Sequence, residues 1–345
     1  MSRTEKSPTA EETIERLFYA RGLGRVLSPI EPVSGGLMHR MFKVTAESGT
    51  YAVKQLNPEV MRRPDAPGNF LRAEKLERVL EDAGIPIVPA LTIRESKMQS
   101  FEGWYYYVFT WLDGQVTDPN GITLAQCRAV GNILGRIHAL SPKEAVHTAP
   151  KKSCINWSAY AEEASRAGSG IALLIRQNER LLAHAQHALN RSRLLLPDTE
   201  CITDGDMDPK NVMWCGGRPL VIDLECLTIG NPASDALQLA LHWAGDDACR
   251  VDTEKLKAFF EGYLSAYDSG FRNYADIFGV SYTWLEWLEY NIKRALGQCE
   301  DEAEKALSLS ETVHTVDAIW HIHVKEDEIK RTLNELFGRK EAQNV

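Results

Sequence analysis

"CITDGDMDPKNVMWCGGRPLVIDLECLTIGNPASDA", residues 201–236, is the stretch on which the reading of this chain turns. It is a short, polar, β-like island in a region otherwise patterned for helices. Asp206 lies on a loop between two β-forming runs, and Asn211 follows five residues later. After the Gly216–Gly217 turn, Leu220-Val221-Ile222 reads as a strand that delivers Asp223. Carboxylate, amide and carboxylate are hard oxygen donors of the kind magnesium takes sparingly, completing its shell with water and phosphate. A loop carboxylate can also orient and deprotonate a hydroxyl, and phosphoryl transfer asks for little more covalent help than that. Asp206 or Asn211 alone would read as an ordinary Asx turn. The ordered set, with a strand before Asp223, carries the signal.

Upstream the texture is different. Thr9 and Glu12 form a capping-box pair ahead of Ile14, Leu17 and Phe18, which share one helix face. Val26 to Val33, Met38 to Thr45 and Thr50 to Leu56 are short β-forming runs separated by Gly-containing turns, and predict an antiparallel meander. Asn69 to Ala83 has helical spacing with Gly84 as its stop, and two more strands are expected near 89–94 and 104–111. Beyond "WLDGQ" (111–115) the pattern is mostly helical: 122–140, 171–196, 232–246, 253–267, 281–297 and 311–336. The expected class is α+β, in two lobes. A small antiparallel sheet with one inserted helix spans 1–111, and a larger helical lobe spans 112–345. A cleft between two such lobes is a natural ligand site.

Here a resemblance joins the residues. "DGDMDPKNVMW…VIDLE…D" resembles the Brenner-type catalytic segment of the aminoglycoside phosphotransferase and choline kinase superfamily, the small-molecule counterpart of the protein-kinase catalytic and metal loops. The resemblance implies a protein-kinase-like fold, with Asp206 as catalytic base. It makes Asn211 a magnesium ligand and Asp223 the principal one, bridging to the nucleotide phosphates. Asp235 matches a residue that braces the catalytic loop. One position departs from the pattern: the family usually has His two residues before the catalytic Asp, and this chain has Asp204. That puts loop geometry in question more than the reaction.

The same resemblance extends over about 25–240. Lys54 in "YAVKQL" takes the place of the lysine that holds the α- and β-phosphates, with Glu74 as its expected helix partner; Glu77 and Glu81 read as solvated helix-face charges. Ser34, Gly35 and Gly36 fall where the family has its phosphate-covering hairpin, whose backbone N–H groups approach phosphate oxygens. In "YYYVFTWLDG" the Trp111 carbonyl and the Leu112 N–H are expected to pair with adenine. Taken alone, a strand lysine reads as a solvated edge residue and a Gly-Gly pair as a plain hairpin turn. The order of the parts is what is specific.

The implied activity is an ATP- and Mg2+-dependent phosphotransferase that moves the γ-phosphate to a hydroxyl of a small molecule, aminoglycoside-like or another aminated metabolite. The alternative is a catalytically silent nucleotide-binding relative of regulatory or spore-coat type. A protein kinase is set aside for want of the three-glycine loop, the Asp-Phe-Gly sequence and the activation segment. Net charge of -9 argues against a nucleic-acid partner and suits a cationic substrate. No apolar run is long enough for a membrane span, and no signal-peptide pattern opens the chain. Seven scattered cysteines read as free thiols of a cytoplasmic protein. Trp284, Trp287 and Tyr290, interleaved with Glu286 and Glu289, read either as packed core or as an aromatic and acidic wall for an ammonium group. His242 and Trp243 read as core. His314, His321 and His323 lack a matching Cys or carboxylate set, so no structural metal is expected there.

Overall fold

A computed structural model describes residues 9–33, 39–140, 152–299 and 301–338. Ser34, Gly35 and Gly36 lie outside them. The chain clusters into two units. One comprises 1–115 together with 212–227, and the other 116–211 together with 228–345. Residues 212–227, expected in the second lobe, therefore associate with the first unit. Val221 explains why: its N–H donates to the Pro86 carbonyl, and its own carbonyl accepts from the Val88 N–H.

The first unit opens with α1 (Ala10–Arg21), closed by the Thr9–Glu12 capping box and by Gly22 in the left-handed conformation. A five-stranded antiparallel sheet follows, built from β1 (Glu31–Val33), β2 (Arg40–Ala46), β3 (Gly49–Gln55), β4 (Gln99–Phe101) and β5 (Trp104–Thr110) in the order β1-β2-β3-β5-β4. Between β3 and β4 lie the short α2 (Pro58–Arg62) and the longer α3 (Ala66–Asp82). The expected strand at 89–94 is instead a non-strand segment whose Leu91 N–H donates to the Val108 carbonyl.

Strand alternation sorts this unit into two apolar layers. Phe42, Val44, Val53, Tyr106 and Val108 pack with Ile14, Leu17 and Phe18 of α1. Leu56 and Tyr107 pack with Phe70 and Ala66 of α3. Lys54 neighbours Val53 along β3 and pairs in register with Tyr107, so it shares the second face. A one-residue slip would send it into the α1 layer.

The chain leaves this unit within β6 (Gln115–Val116). The second unit holds α4 (Leu124–His138), α5 (Trp157–Arg166), α6 (Ile171–Arg193), β7 (Cys201–Asp204) and, after the excursion of β8 (Val212–Cys215) and β9 (Arg218–Val221) into the first unit, β10 (Leu227–Gly230), which pairs with β7. Then come α7 (Pro232–Ala244), α8 (Thr253–Ala266), α9 (Trp284–Ala295), α10 (Glu302–Val324) and α11 (Glu326–Gly338). The single helix expected over 311–336 breaks at Lys325, the C-cap of α10.

Helix α7 is apolar almost all round, with Leu237, Leu239, Ala240 and Trp243 fully buried, as a central helix requires. α4 and α8 approach backbone to backbone. A Cβ on Gly262 would stand 1.9 Å from the Arg128 carbonyl oxygen, and one on Gly131 would stand 2.0 Å from that of Phe259. No helix among the described residues is long and apolar enough to cross a membrane.

Candidate active site

In the first unit the chemistry gathers on the α3 face of the sheet. Lys54 is 6% exposed. Its ammonium donates to Oδ1 of Asp223 at 2.7 Å and pairs with Oε2 of Glu225 at 2.8 Å. Burial pulls the lysine's pKa down, but Glu225 and Asp223 outweigh it and leave the pKa raised, so the ammonium stays charged. Glu225 is itself held charged. Burial pushes its pKa up, yet His39 and Lys54 carry it below the ordinary value. The His39 ring is oriented at both nitrogens: Nδ1 accepts from the Asn57 N–H at 3.0 Å, so Nε2 donates to Glu225 Oε1 at 3.1 Å.

Asp223 lies two residues past the end of β9 and adopts φ 60, ψ 60, the left-handed region that costs a non-glycine residue energy. The strand thus ends in a sharp turn that sends Asp223 and Glu225 to the same ammonium. Glu225 is a participant the sequence reading did not single out. Its only signal was a second carboxylate two residues past Asp223. Glu74 does not complete the pair expected with Lys54. Its Oε1 accepts from the Tyr107 hydroxyl at 2.8 Å and the Met98 N–H at 3.2 Å, because α3 sets it over β5 and the start of β4. Glu77 is not a solvated face charge either. It is buried, accepting from Lys97 Nζ at 2.6 Å and the Ala90 N–H at 2.8 Å. Glu81 remains half-exposed at the rim of that pair.

Just past β5, the Trp111 N–H donates to the Thr50 carbonyl, which fixes the end of β5 against β3. Lys43 sits over the Trp111 ring at 4.6 Å, and Leu112 is partly buried.

In the second unit the loop after β7 is tied from several sides. Asn211 donates through Nδ2 to the Asp206 carbonyl at 2.7 Å and to Asp206 Oδ2 at 2.9 Å. The amide oxygen of Asn211 is thereby turned away from Asp206 and keeps its acceptor character. Lys210 lies 3.2 Å from Asp206 Oδ1. Asp204 occupies the position where histidine was expected, and it is buried. Its N–H donates to Asp235 Oδ2, and its Oδ1 accepts from the Asp206 N–H at 3.4 Å. Asp235 Oδ2 also meets His138 Nε2 at 3.0 Å, and His138 Nδ1 meets the Tyr263 hydroxyl at 2.9 Å. α4, α7 and α8 thus brace the loop through one carboxylate.

Trp243 is core, as expected, and donates to the Met207 carbonyl. His242 is not simply core. Nδ1 meets Asp208 Oδ1 at 2.5 Å, and Nε2 accepts from the Trp284 indole N–H at 2.8 Å. Burial pulls the His242 pKa down and Asp208 pushes it up further, for a net rise. Asp208 responds in the opposite sense, lowered by His242 against its burial. The rest of the aromatic stripe flanks α9 and is not packed into the core. Trp287 is 41% exposed and stacks on Tyr290 at 5.4 Å, while Leu285, Leu288 and Ile292 form the buried face.

Each expected metal ligand, Asp223 in the first unit and Asn211 in the second, offers a hard oxygen donor of the kind magnesium takes, and the left-handed backbone at Asp223 carries an energetic cost.

No curated protein sequence matches the chain. Among solved structures it is similar to a spectinomycin phosphotransferase solved with ADP and spectinomycin (TM-score 0.68, 15% identity, covering 91% of this chain and 98% of that one). It is similar to an ethanolamine kinase of Plasmodium vivax (0.60, 14%, 92% and 91%). It is also similar to a microcompartment-associated aminopropanol kinase (0.58, 13%, 90% and 98%). At such identities the likeness speaks for the fold. A family model, described as the phosphotransferase enzyme family, matches residues 29–271, most of the chain and every residue of both clusters described above except Trp284. The chain belongs to the phosphotransferase enzyme family, and it is an enzyme of the small-molecule kinase kind.

Proposed function

We propose that this phosphotransferase moves the γ-phosphate of ATP, with Mg2+, to a hydroxyl of a small aminated molecule, in the cytoplasm where ATP is supplied. The observation that carries the reading is the Lys54–Asp223 pair. An ammonium and a carboxylate held at 2.7 Å are the two groups that a magnesium-triphosphate complex would divide between phosphate and metal.

Asp206 is the catalytic base. It takes the proton of the attacking hydroxyl while Asn211 Nδ2 fixes its carboxylate. Asp223 and Asn211 would hold the metal, which would supply positive charge to offset that of the nucleotide phosphates. Lys54 holds the α- and β-phosphates, and Glu225 keeps it protonated. Ser34, Gly35 and Gly36, outside the described residues, are assigned to the nucleotide phosphates by the family resemblance alone. The Trp111 carbonyl and the Leu112 N–H pair with adenine. Glu74 is assigned to anchoring β4 and β5 beneath Lys54.

The aminated acceptor is favoured by the net charge of -9 and by the amino alcohols for which two of the similar structures are named. A panel of aminoglycosides, amino alcohols and hydroxylated metabolites, read by ATP consumption with Asp206→Asn as the blank, tests the reading. Magnesium-dependent turnover with one member is expected. Tight ATP binding with background turnover across the panel would instead favour a catalytically silent relative.

A further inference from the structure

Three ligand-type side chains that phosphoryl transfer does not use meet where α10 gives way to α11. His184 comes from α6, His323 from the last turn of α10, and Glu326 is the first residue of α11. Glu326 Oε2 lies 3.5 Å from His184 Nε2 and 3.5 Å from His323 Nδ1. The three atoms all fall within 4.8 Å of one another, and the imidazoles meet edge to face. Along the sequence, His314, His321 and His323 show no matching Cys or carboxylate set, and no metal is expected there. The break at Lys325 supplies the carboxylate and α6 the second imidazole.

We propose that His184, His323 and Glu326 form a binding site for a divalent transition metal of the zinc type. Two imidazole nitrogens and one carboxylate oxygen are a zinc set that leaves a fourth position for water. Zinc–ligand bonds of about 2.0–2.2 Å place neighbouring ligand atoms roughly 3.3 Å apart in a tetrahedron. Both glutamate–histidine distances already meet that spacing. Only the gap between the two imidazoles has to narrow, and His184, with its side chain 49% exposed, has room to rotate.

Two features mark the cluster as more than a chance meeting of surface residues. Nδ1 of His323 is shut off from solvent and makes no hydrogen bond to any described residue, a cost that a metal ion would remove. The carboxylate is also oriented from behind: Lys330 Nζ holds Glu326 Oε1 at 2.5 Å, and the Tyr282 hydroxyl donates to Oε2 at 3.1 Å. Lys330 has a second effect, because its positive charge opposes a dication. The site therefore binds more weakly than a closed four-ligand zinc centre, and it tightens when that charge is removed. A bound ion would tie α6 to the α10–α11 junction. It is distinct from the magnesium of the transfer reaction, which is held by oxygen donors.

The test uses the full, untagged chain, stripped with chelator and titrated with Zn2+ by calorimetry and with Co2+ by visible absorption. One equivalent of Co2+ with the intense bands of four-coordinate nitrogen and oxygen ligation is expected. His323→Gln and Glu326→Gln should each abolish those bands and weaken zinc by about a hundredfold or more. Lys330→Met should bind more tightly, and the His314→Ala/His321→Ala double variant should match the parent. Far-UV circular dichroism on each variant separates a lost site from a lost fold. Cobalt bands that survive His323→Gln, thiolate charge-transfer bands reporting cysteine ligation, or no uptake by the parent chain would each overturn the proposal.

Discussion

Nζ of Lys54 and Oδ1 of Asp223 stand 2.7 Å apart although 169 residues separate them in the chain. The lysine is buried in the sheet, and the aspartate emerges from a strand end forced into the left-handed region. Removing the cation leaves Asp223 and Glu225 facing each other without compensation. Lys54→Met should therefore lose about 3 kcal/mol of stability, the low end for a broken buried pair because both carboxylates reach solvent. It should also lose about a hundredfold or more in kcat/KM for ATP. Denaturant unfolding and steady-state kinetics measure the two. A variant with normal kcat/KM would remove Lys54 from the nucleotide site.

Glu225, rather than Glu74, maintains the charge on Lys54. Glu225→Gln leaves Asp223 alone to oppose burial and should lower the lysine's pKa, so the rise of the ATP KM with increasing pH should begin at lower pH than in the parent. Glu74→Gln retains an oxygen to accept from Tyr107 and Met98, and its pH profile should follow the parent. The reverse ranking of the two variants would restore Glu74 as the lysine's partner.

These contrasts show where the sequence was legible. Capping boxes, glycine stops and strand alternation are local, so α1, β2, β3, α4 and α6 could be read directly, and the spacing of Asp206, Asn211 and Asp223 singled out the candidate catalytic island. Long-range pairing left no such trace. Glu225 reaches Lys54, and His39 reaches Glu225, only through folding, and Glu77 is buried against Lys97, a partner twenty residues further along the chain. The short α5 was missed because its amphipathic run covers only ten residues. The 311–336 pattern concealed the break at Lys325, because helical periodicity continues on both sides of it. Trp284, Trp287 and Tyr290 share a helix flank, but the larger aliphatic face beside them took the core.

The Glu77–Lys97 pair offers a stability test that does not depend on turnover. Lys97 is 1% exposed, and burial already raises the Glu77 pKa despite the opposing pull of the lysine. Lys97→Met should cost about 3–5 kcal/mol near pH 7, where it strands a buried carboxylate. Without the ammonium the Glu77 pKa climbs further, so Glu77 accepts a proton more readily in the folded state than in the unfolded one. The stability gap between variant and parent should therefore shrink as pH falls from 7 toward 5, in urea titrations at both pH values. A gap independent of pH would mean that the loss is packing alone.

His242 carries the sharpest prediction about the catalytic loop, because its two nitrogens have opposed partners. Asp208 accepts from Nδ1 and favours the imidazolium, whereas the Trp284 indole N–H points at Nε2 and tolerates only the neutral ring there. Asp208 prevails in direction, with His242 raised and Asp208 lowered. The ion pair is accordingly at full strength between the ordinary carboxylate and imidazole values, about pH 4 to 6.5. It weakens as pH falls through the depressed Asp208 pKa, and again as pH rises through the elevated His242 pKa. Trp284→Phe removes the opposing donor and keeps most of the ring. The His242 pKa should then rise further, read from its imidazole resonances in an NMR titration, and the alkaline loss of the Asp208 pair should move to higher pH with it. A lower His242 pKa in this variant would show that the indole does not hold Nε2 unprotonated, and that the ring is positioned by Asp208 alone.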